Sequence, residues 1–301
     1  MASASKATSV YLAAERDIPS VARWRPYVRN VRIVFGSVVI LVMILAALTA
    51  PAIAPFGANQ QKPAIGNAPP FTVDRDGGRH LLGTDPLGRD IFSRILFGAR
   101  VSLLVGAASV IISLCIGVPL GLVSGFFGGR TDSIIMRLVD VQLAIPFFLL
   151  AVTLAALLGQ GLWNVVVLLG ASSWIGFARV VRAQVMAIRE LPFVESARAV
   201  GARPISIMFQ HILPNTWTPI IVLASQLVGA MIVAESSLTF LGVGVPPDTA
   251  TWGGMIASGR DYLEIAWWVS TIPGLALTLT VVAVYFLGDG LRDVLDPKTK
   301  T

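Results

Sequence analysis

Glu195, Ser196, Ala197 and Gly201, followed by Leu213 and Pro214, stand in a compact polar stretch, ESARAVGARPISIMFQHILPN, between two long apolar runs. These residue types do not make a catalytic centre. The whole chain holds two histidines, His80 and His211, and one cysteine, Cys115. That excludes a disulfide framework and any metal-type cysteine spacing. No GxxxxGK(S/T) phosphate loop occurs, so the chain cannot be its own nucleotide-driven motor. The apolar runs carry no histidine and no acid–base constellation, which argues against a membrane hydrolase.

What the stretch suits is mechanics. Glu195 to Val200 reads as one short helical piece stopped at Gly201, a residue that supplies a bend closed to β-branched side chains. Pro204 opens a second piece, where Ile205, Met208, Phe209 and Ile212 recur at i, i+3, i+4 and i+7. The spacing predicts helix, sharp turn, helix, then a stop at Pro214, with Pro219 resetting the chain. Spacing alone leaves two readings open: an amphipathic connector resting on its own bundle or on lipid, or a piece that docks on a partner.

The elements that must position this stretch are membrane spans. The 301 residues are 55% hydrophobic and 13% charged, against about a quarter charged in soluble domains. Mean hydropathy is +0.76. Six runs of roughly 20 apolar residues lie near 33–53, 101–125, 134–158, 162–186, 219–241 and 267–288, each long enough to cross a hydrocarbon core. Lipid offers no partner to an open backbone, so the expected fold is all-α and polytopic, with six transmembrane helices. The organisation follows: a cytoplasmic segment 1–32, an anchor helix 33–53, an extracytoplasmic loop 54–98, a core 99–290 that includes loop 189–214, and a tail 291–301. Residues 1–32 do not read as a cleaved signal, because the run behind them is too long. The 23 Lys and Arg residues fall mostly on one side if both termini are cytoplasmic. A net charge of +6 then reflects topology and calls for no nucleic acid.

Within that frame, Leu87, Ile91, Phe92, Ile95 and Leu96 share one face, with Thr84 or Asp85 available as a cap and Pro86 at the first position. A short amphipathic helix lying in the outer interface is expected, the alternative being a mere extension of the second span. Gly117, Gly121 and Gly125, spaced by four, allow close helix approach. Pro146 should break the third run. Arg137 and Asp140 can pair at i, i+3. Glu235 has no basic residue one turn away, and two roles stay open for it: structural hydrogen bonding, or facing the translocation path and receiving a peptide's amino group. Trp252, Trp267 and Trp268 suit an outer aromatic belt.

The polar stretch also resembles a known motif. Glu195-Ser196-Ala197, three residues, Gly201, and then Leu213-Pro214 is similar to the EAA loop of ABC importer permeases, Glu-Ala-Ala-x3-Gly-x9-Ile-x-Leu-Pro. It departs at Ser196 and at His211, with Ile212 one position late. Four further blocks, His80–Gly106, Arg137–Ala151, Leu238–Ile256 and Leu287–Lys298, resemble the oligopeptide/dipeptide subfamily, and among its members the C-type permease subunit.

The resemblance implies a type I importer fold. It implies that Glu195, Ser196, Ala197, Gly201, Leu213 and Pro214 couple the chain to separate ATPases. The implied partners are a paralogous B-type permease subunit, two cytoplasmic ATPase subunits and an extracytoplasmic substrate-binding protein, in the inner membrane of a prokaryote and in contact with its lipid. The chain itself would bind no cofactor and no metal; ATP and Mg would be used by the ATPases. Peptide import is the implied activity, with nickel chelates, glutathione or sugars as other cargoes of related permeases. The rival class is a secondary transporter or channel not driven by ATP. Such a protein would rely on broken helices, midplane charge pairs or a filter rather than on a cytoplasmic knob.

Overall fold

A computed structural model describes Tyr27 and residues 30–295. The expected segment 1–32 and the last residues of the tail therefore lie largely outside the described residues. The helices are α1 Val31–Ile53, α2 Ile91–Phe127, α3 Gly129–Leu143, α4 Phe147–Leu158, α5 Leu162–Ile188, α6 Pro192–Ala199, α7 Pro204–Ser206, α8 Trp217–Phe240, α9 Trp252–Gly259 and α10 Trp268–Leu295. A two-stranded antiparallel hairpin, β1 Thr72–Val73 and β2 Arg79–His80, projects between α1 and α2. Five helical segments are long and apolar enough to span a membrane, and the bent pair α3–α4 makes a sixth.

The core is the α2–α5 pair, and small residues decide how closely it packs. A Cβ on Gly121 would lie 2.7 Å from the Ala178 carbonyl oxygen, and one on Gly125 2.7 Å from Val185 Cβ. The stripe read in the sequence thus lets two backbones touch, the arrangement by which membrane helices associate without a hydrophobic driving force between them. Ser109 and Ser113 add hydrogen bonds from α2 to the Val166 and Gly170 carbonyls of α5 at 3.2 and 2.8 Å. α1 packs on α10 in the same manner, with Gly36 against the backbone of Ala283 and Leu287.

Pro146 acts as expected. It has no N–H to donate, and α3 and α4 meet at 84° across the break it makes.

The structure corrects other expectations. No separate amphipathic helix precedes α2: residues 91–98 are its first turns, in one helix of 37 residues. Nothing in 91–101 breaks the ladder, since Gly98 is tolerated inside a helix. Asp90, rather than Thr84 or Asp85, caps it, accepting from the Ser93 N–H at 2.7 Å. At 1.5 Å per residue α2 reaches about 55 Å, well beyond a core of about 30 Å. Its first turns therefore rise out of the apolar layer beside the hairpin.

Asp140 pairs with Arg179 of α5 at 3.4 Å, not with Arg137, because α3 lies against α5 at that level. Trp252 is fully buried and donates its indole N–H to the Ile95 carbonyl at 3.2 Å, so it is a core residue rather than part of a belt. Trp268 is 9% exposed; Trp267 alone of the three is open, at 53%. α10 continues to Leu295, past the expected start of the tail.

Candidate functional site

The motif residues lie at the end of the bundle opposite the hairpin. α6 begins with Pro192 at its first position, where a missing N–H costs nothing. Val194 and Ala197 face inward, at 0% and 8% exposure, and pack into the main core with Ile207 and Ile212. Glu195 and Ser196 point outward. The helix ends on a complete Schellman turn: the Gly201 N–H donates to the Arg198 carbonyl and the Ala202 N–H to the Ala197 carbonyl, both at 3.0 Å. Gly201 holds φ = +77°, a left-handed conformation that costs other residues energy. Val200, at 84% exposure, and Ile205, at 68%, stand on either side of the turn with nothing of this chain over them.

Beyond the turn the chain does not form the predicted self-contained helix. α7 passes into a π-helical stretch, Ile207–Ile212, then a 3-10 turn, Leu213–Thr216, and so directly into α8. Pro214 does not stop it. The wide turn lets the Leu213 N–H reach the Met208 carbonyl, five residues back, so a proline can be passed without a break. Widening also rotates the apolar stripe. Ile207, Met208 and Ile212 are buried, while Ile205 and Phe209 are exposed. Leu213 is half-buried and Pro214 exposed.

This piece is tied to the spans by polar contacts that sequence reading missed. The Arg189 Nη1 donates to the Gly125 carbonyl at 2.8 Å. The Arg198 guanidinium lies over the Phe126 ring at 5.5 Å. Arg182 of α5 forms a bidentate pair with Asp132 of α3 at 2.5 and 2.7 Å, and Ser124 of α2 donates to the same carboxylate. Asp132 and Arg182 are 50 residues apart in sequence, so no local spacing advertises them. Arg189 and Arg198 thus tie α6 and the turn before it to the end of α2, and the Asp132 carboxylate ties the ends of α2, α3 and α5 to one another.

Above this end a cavity of about 760 Å³ opens beside the α3–α4 break, lined by Gln142, Pro146, Ser172, Arg179, Met231 and Tyr285 among others. Gln142 is fixed there, donating to the Ser172 carbonyl and accepting from the Trp174 indole N–H at 2.8 and 2.9 Å.

Glu235 lies elsewhere. Its carboxylate is fully buried, accepting from Thr239 at 2.9 Å, Ser236 at 3.2 Å and Ser102 at 3.5 Å. Thr239 Oγ1 in turn accepts from the Val245 N–H at 3.1 Å. Glu235 thereby joins α2, α8 and the loop after α8.

At the hairpin end, residues 54–90 form a built structure rather than a slack loop. His80, 1% exposed, sits between Asp90 Oδ1 at 2.9 Å and Asp74 Oδ2 at 3.6 Å, and stacks on Phe56 with centroids 4.5 Å apart. Lys62 bridges Asp74 and Asp76 at 2.6 and 2.7 Å. Its ammonium, helped by the Gly78 and Asp76 N–H groups, holds the Asp74 carboxyl at about 2, below its usual 3.8. Among the described residues no group of three or more His, Cys, Asp or Glu side chains could hold a metal.

With this architecture in view, the chain belongs to the family described as the binding-protein-dependent transport system inner membrane component, whose model matches residues 117–301. Residues 21–70 match the N-terminal transmembrane domain of oligopeptide transport permease C. The chain is 44% identical over 277 residues to the di/tripeptide transport system permease protein DppC of Pseudomonas aeruginosa, covering 92% of this chain and 91% of that one. It is 42% identical over 282 residues to the glutathione transport system permease protein GsiD of Pectobacterium atrosepticum, covering 92% and 91%. A solved structure of the MetNI methionine ABC transporter in an inward-facing conformation superposes with a TM-score of 0.54 at 22% identity, over 67% of this chain and 97% of that one. That likeness shows a shared fold. The chain is a multi-pass permease subunit of an ABC importer.

Proposed function

We propose that this subunit forms half of a path for di- or oligopeptides delivered by an extracytoplasmic binding protein, and that two cytoplasmic ATPases drive it through α6 and the turn at Gly201. A paralogous permease supplies the other half. Both termini are cytoplasmic, so the hairpin end faces outward and α6 inward. ATP and Mg are used by the ATPases, and this chain binds no cofactor of its own. Peptide cargo is supported by the dipeptide, di/tripeptide and glutathione permeases to which the chain is similar.

The observation that carries the coupling role is the geometry of α6. Its inner face is anchored in the core by Val194 and Ala197, while Glu195 and Ser196 on its outer face, and Val200 just past its end, stand exposed. A rigid short helix with one face free is what a docking element needs, whereas a connector resting on its own bundle would bury that face. Glu235 we assign to structural hydrogen bonding, since its carboxylate is enclosed by hydroxyls and lines neither the cavity at the α3–α4 break nor a path from it.

The test is reconstitution of this chain with its paralogous permease, both ATPases and the binding protein in proteoliposomes. Peptide uptake that requires ATP, and ATPase activity stimulated by peptide-loaded binding protein, are expected. Uptake driven by a proton or sodium gradient without the ATPases would replace this reading with secondary transport.

A further inference from the structure

A second cavity, of about 400 Å³, opens at the hairpin end between the end of α8, the loop after it, and α9. Three arginines line it: Arg89, Arg94 and Arg260. Arg89 and Arg94 are 7% and 2% exposed. Buried arginines need anionic or carbonyl partners, and here the supply falls short. Asp85 is shared between two of them. Its Oδ1 already accepts from the Leu87 and Arg89 N–H groups, and its Oδ2 from Arg89 Nε at 2.6 Å.

Arg94 Nε is left 3.9 Å from that same oxygen and forms no hydrogen bond, while Arg94 Nη1 reaches the Ala58 carbonyl at 2.9 Å and Asn59 Oδ1 at 3.3 Å. Arg260 pairs with its exposed neighbour Asp261 at 3.2 Å. Asp248 lies in the rim segment but not on the lining; only its backbone carbonyl is engaged, by Asn59. The lining thus carries three arginines and one carboxylate, Asp261, with Asp85 behind it as the second carboxylate in reach of Arg89 and Arg94.

Two further cavities adjoin it in series through shared lining residues. A third cavity, of about 380 Å³, shares Phe240 and Leu241 with it and shares Val233 with the large cavity at the α3–α4 break. Val233, Ser237 and Phe240 are i, i+4 and i+7 on one face of α8, and Leu241 caps its end. One face of α8 therefore runs from the arginine cavity to the cavity that holds Arg179.

We infer that the Arg89–Arg94–Arg260 cavity is a carboxylate-accepting site at the outer mouth of the path, which receives the C-terminal carboxylate of the peptide cargo as it leaves the binding protein. The inference rests on the peptide-import reading. Guanidinium groups suit this ligand because their planar fork matches a carboxylate's two oxygens. A single unpaired positive charge suits a group that must be received and then released.

The test is direct binding to the purified full-length chain in nanodiscs, followed by saturation-transfer NMR with alanylalanine and with its C-terminal amide. The free acid is expected to bind at least about tenfold more tightly than the amide, since a bidentate charged pair is lost. Arg260→Gln, whose side chain is half exposed, should erase most of that preference. Arg79→Gln, an exposed arginine of β2 off the cavity, should keep it. Equal affinity for acid and amide, binding of neither, or a preference that survives Arg260→Gln would overturn the inference. So would a loss on Arg260→Gln of ATPase stimulation by empty binding protein without any acid preference, which would assign the cavity to an acidic side chain of that protein. Peptide uptake by the reconstituted wild-type importer tests the parent reading separately, and its success beside a failed preference would sink this inference alone.

Discussion

The guanidinium of Arg198, on α6, lies 5.5 Å over the ring of Phe126, on the last full turn of α2. This contact joins the helix assigned to ATPase docking to the helix that packs most extensively in the bundle. A cation over an aromatic face contributes about 0.5–1 kcal/mol at an exposed site, enough to bias a joint without holding the fold. Arg198→Gln, which leaves Phe126 packed on the main core, is expected to leave insertion and melting temperature nearly unchanged while lowering peptide moved per ATP hydrolysed. Paired uptake and phosphate-release assays in proteoliposomes measure that ratio, and an unchanged ratio would remove the Arg198–Phe126 contact from the transmission path.

Gly201 gives a sharper case. Its φ of +77° closes the Schellman turn, and a Cβ there would meet no atom within 4 Å. The strain of a substitution is thus purely conformational, about 1–3 kcal/mol for a β-branched residue. Gly201→Val should insert normally, lose ATPase stimulation by loaded binding protein, and be milder as Gly201→Asn, which tolerates the left-handed region. Equal coupling in Gly201→Val and wild type would contradict the role of this turn.

Glu235 separates structure from transport. The carboxylate accepts from three hydroxyls, so Glu235→Gln keeps an acceptor while Glu235→Leu strands buried donors at about 1–3 kcal/mol. The leucine variant should melt lower in detergent, with the glutamine variant near wild type. Uptake of free-amine and N-blocked peptides should fall in parallel, if at all. Selective loss of free-amine cargo in Glu235→Gln, with normal melting, would return Glu235 to the path.

The 54–90 structure should respond to acid through Asp74. Its carboxyl titrates at about 2 when folded and near 3.8 otherwise, so the contribution is complete above about 4 and is lost as pH falls from about 4 towards 2. Limited proteolysis within 54–90 should accelerate over that window in the wild type. Asp74→Asn should be cleaved faster at neutral pH and show a flatter profile. A wild-type rate independent of pH from 5 to 2 would contradict the assignment.

Much of this was legible in the sequence, for identifiable reasons. Span positions follow from apolar run length, and the α2–α5 approach from glycines spaced by four, because both signals are local. The bend at Pro146 follows from a missing donor. The Gly201 turn was readable from one residue's conformational range. What escaped was long-range pairing. Asp140 has a basic residue three positions away yet bonds to Arg179, and Arg182 finds Asp132 across two helix boundaries. The π-helical passage at Ile207–Ile212 was hidden because a proline normally ends a helix, and only the tertiary setting favours a wider turn instead. Asp85 and Arg89 do stand at i, i+4, but in a turn rather than a helix, so their partnership with Arg94 needed coordinates.

The central claim is that α6 docks on a cytoplasmic ATPase. Site-directed cross-linking tests it most directly, in the Cys115→Ser background with Ser196→Cys on α6 and Thr72→Cys on β1. Ser196→Cys is expected to cross-link to an ATPase subunit, with a yield that changes on ATP addition, and to be labelled by a membrane-impermeant maleimide only from the cytoplasmic side. Thr72→Cys should be labelled only from outside. Labelling of both positions from the same side, or intact ATPase association with no cross-link from Ser196→Cys, would contradict the account.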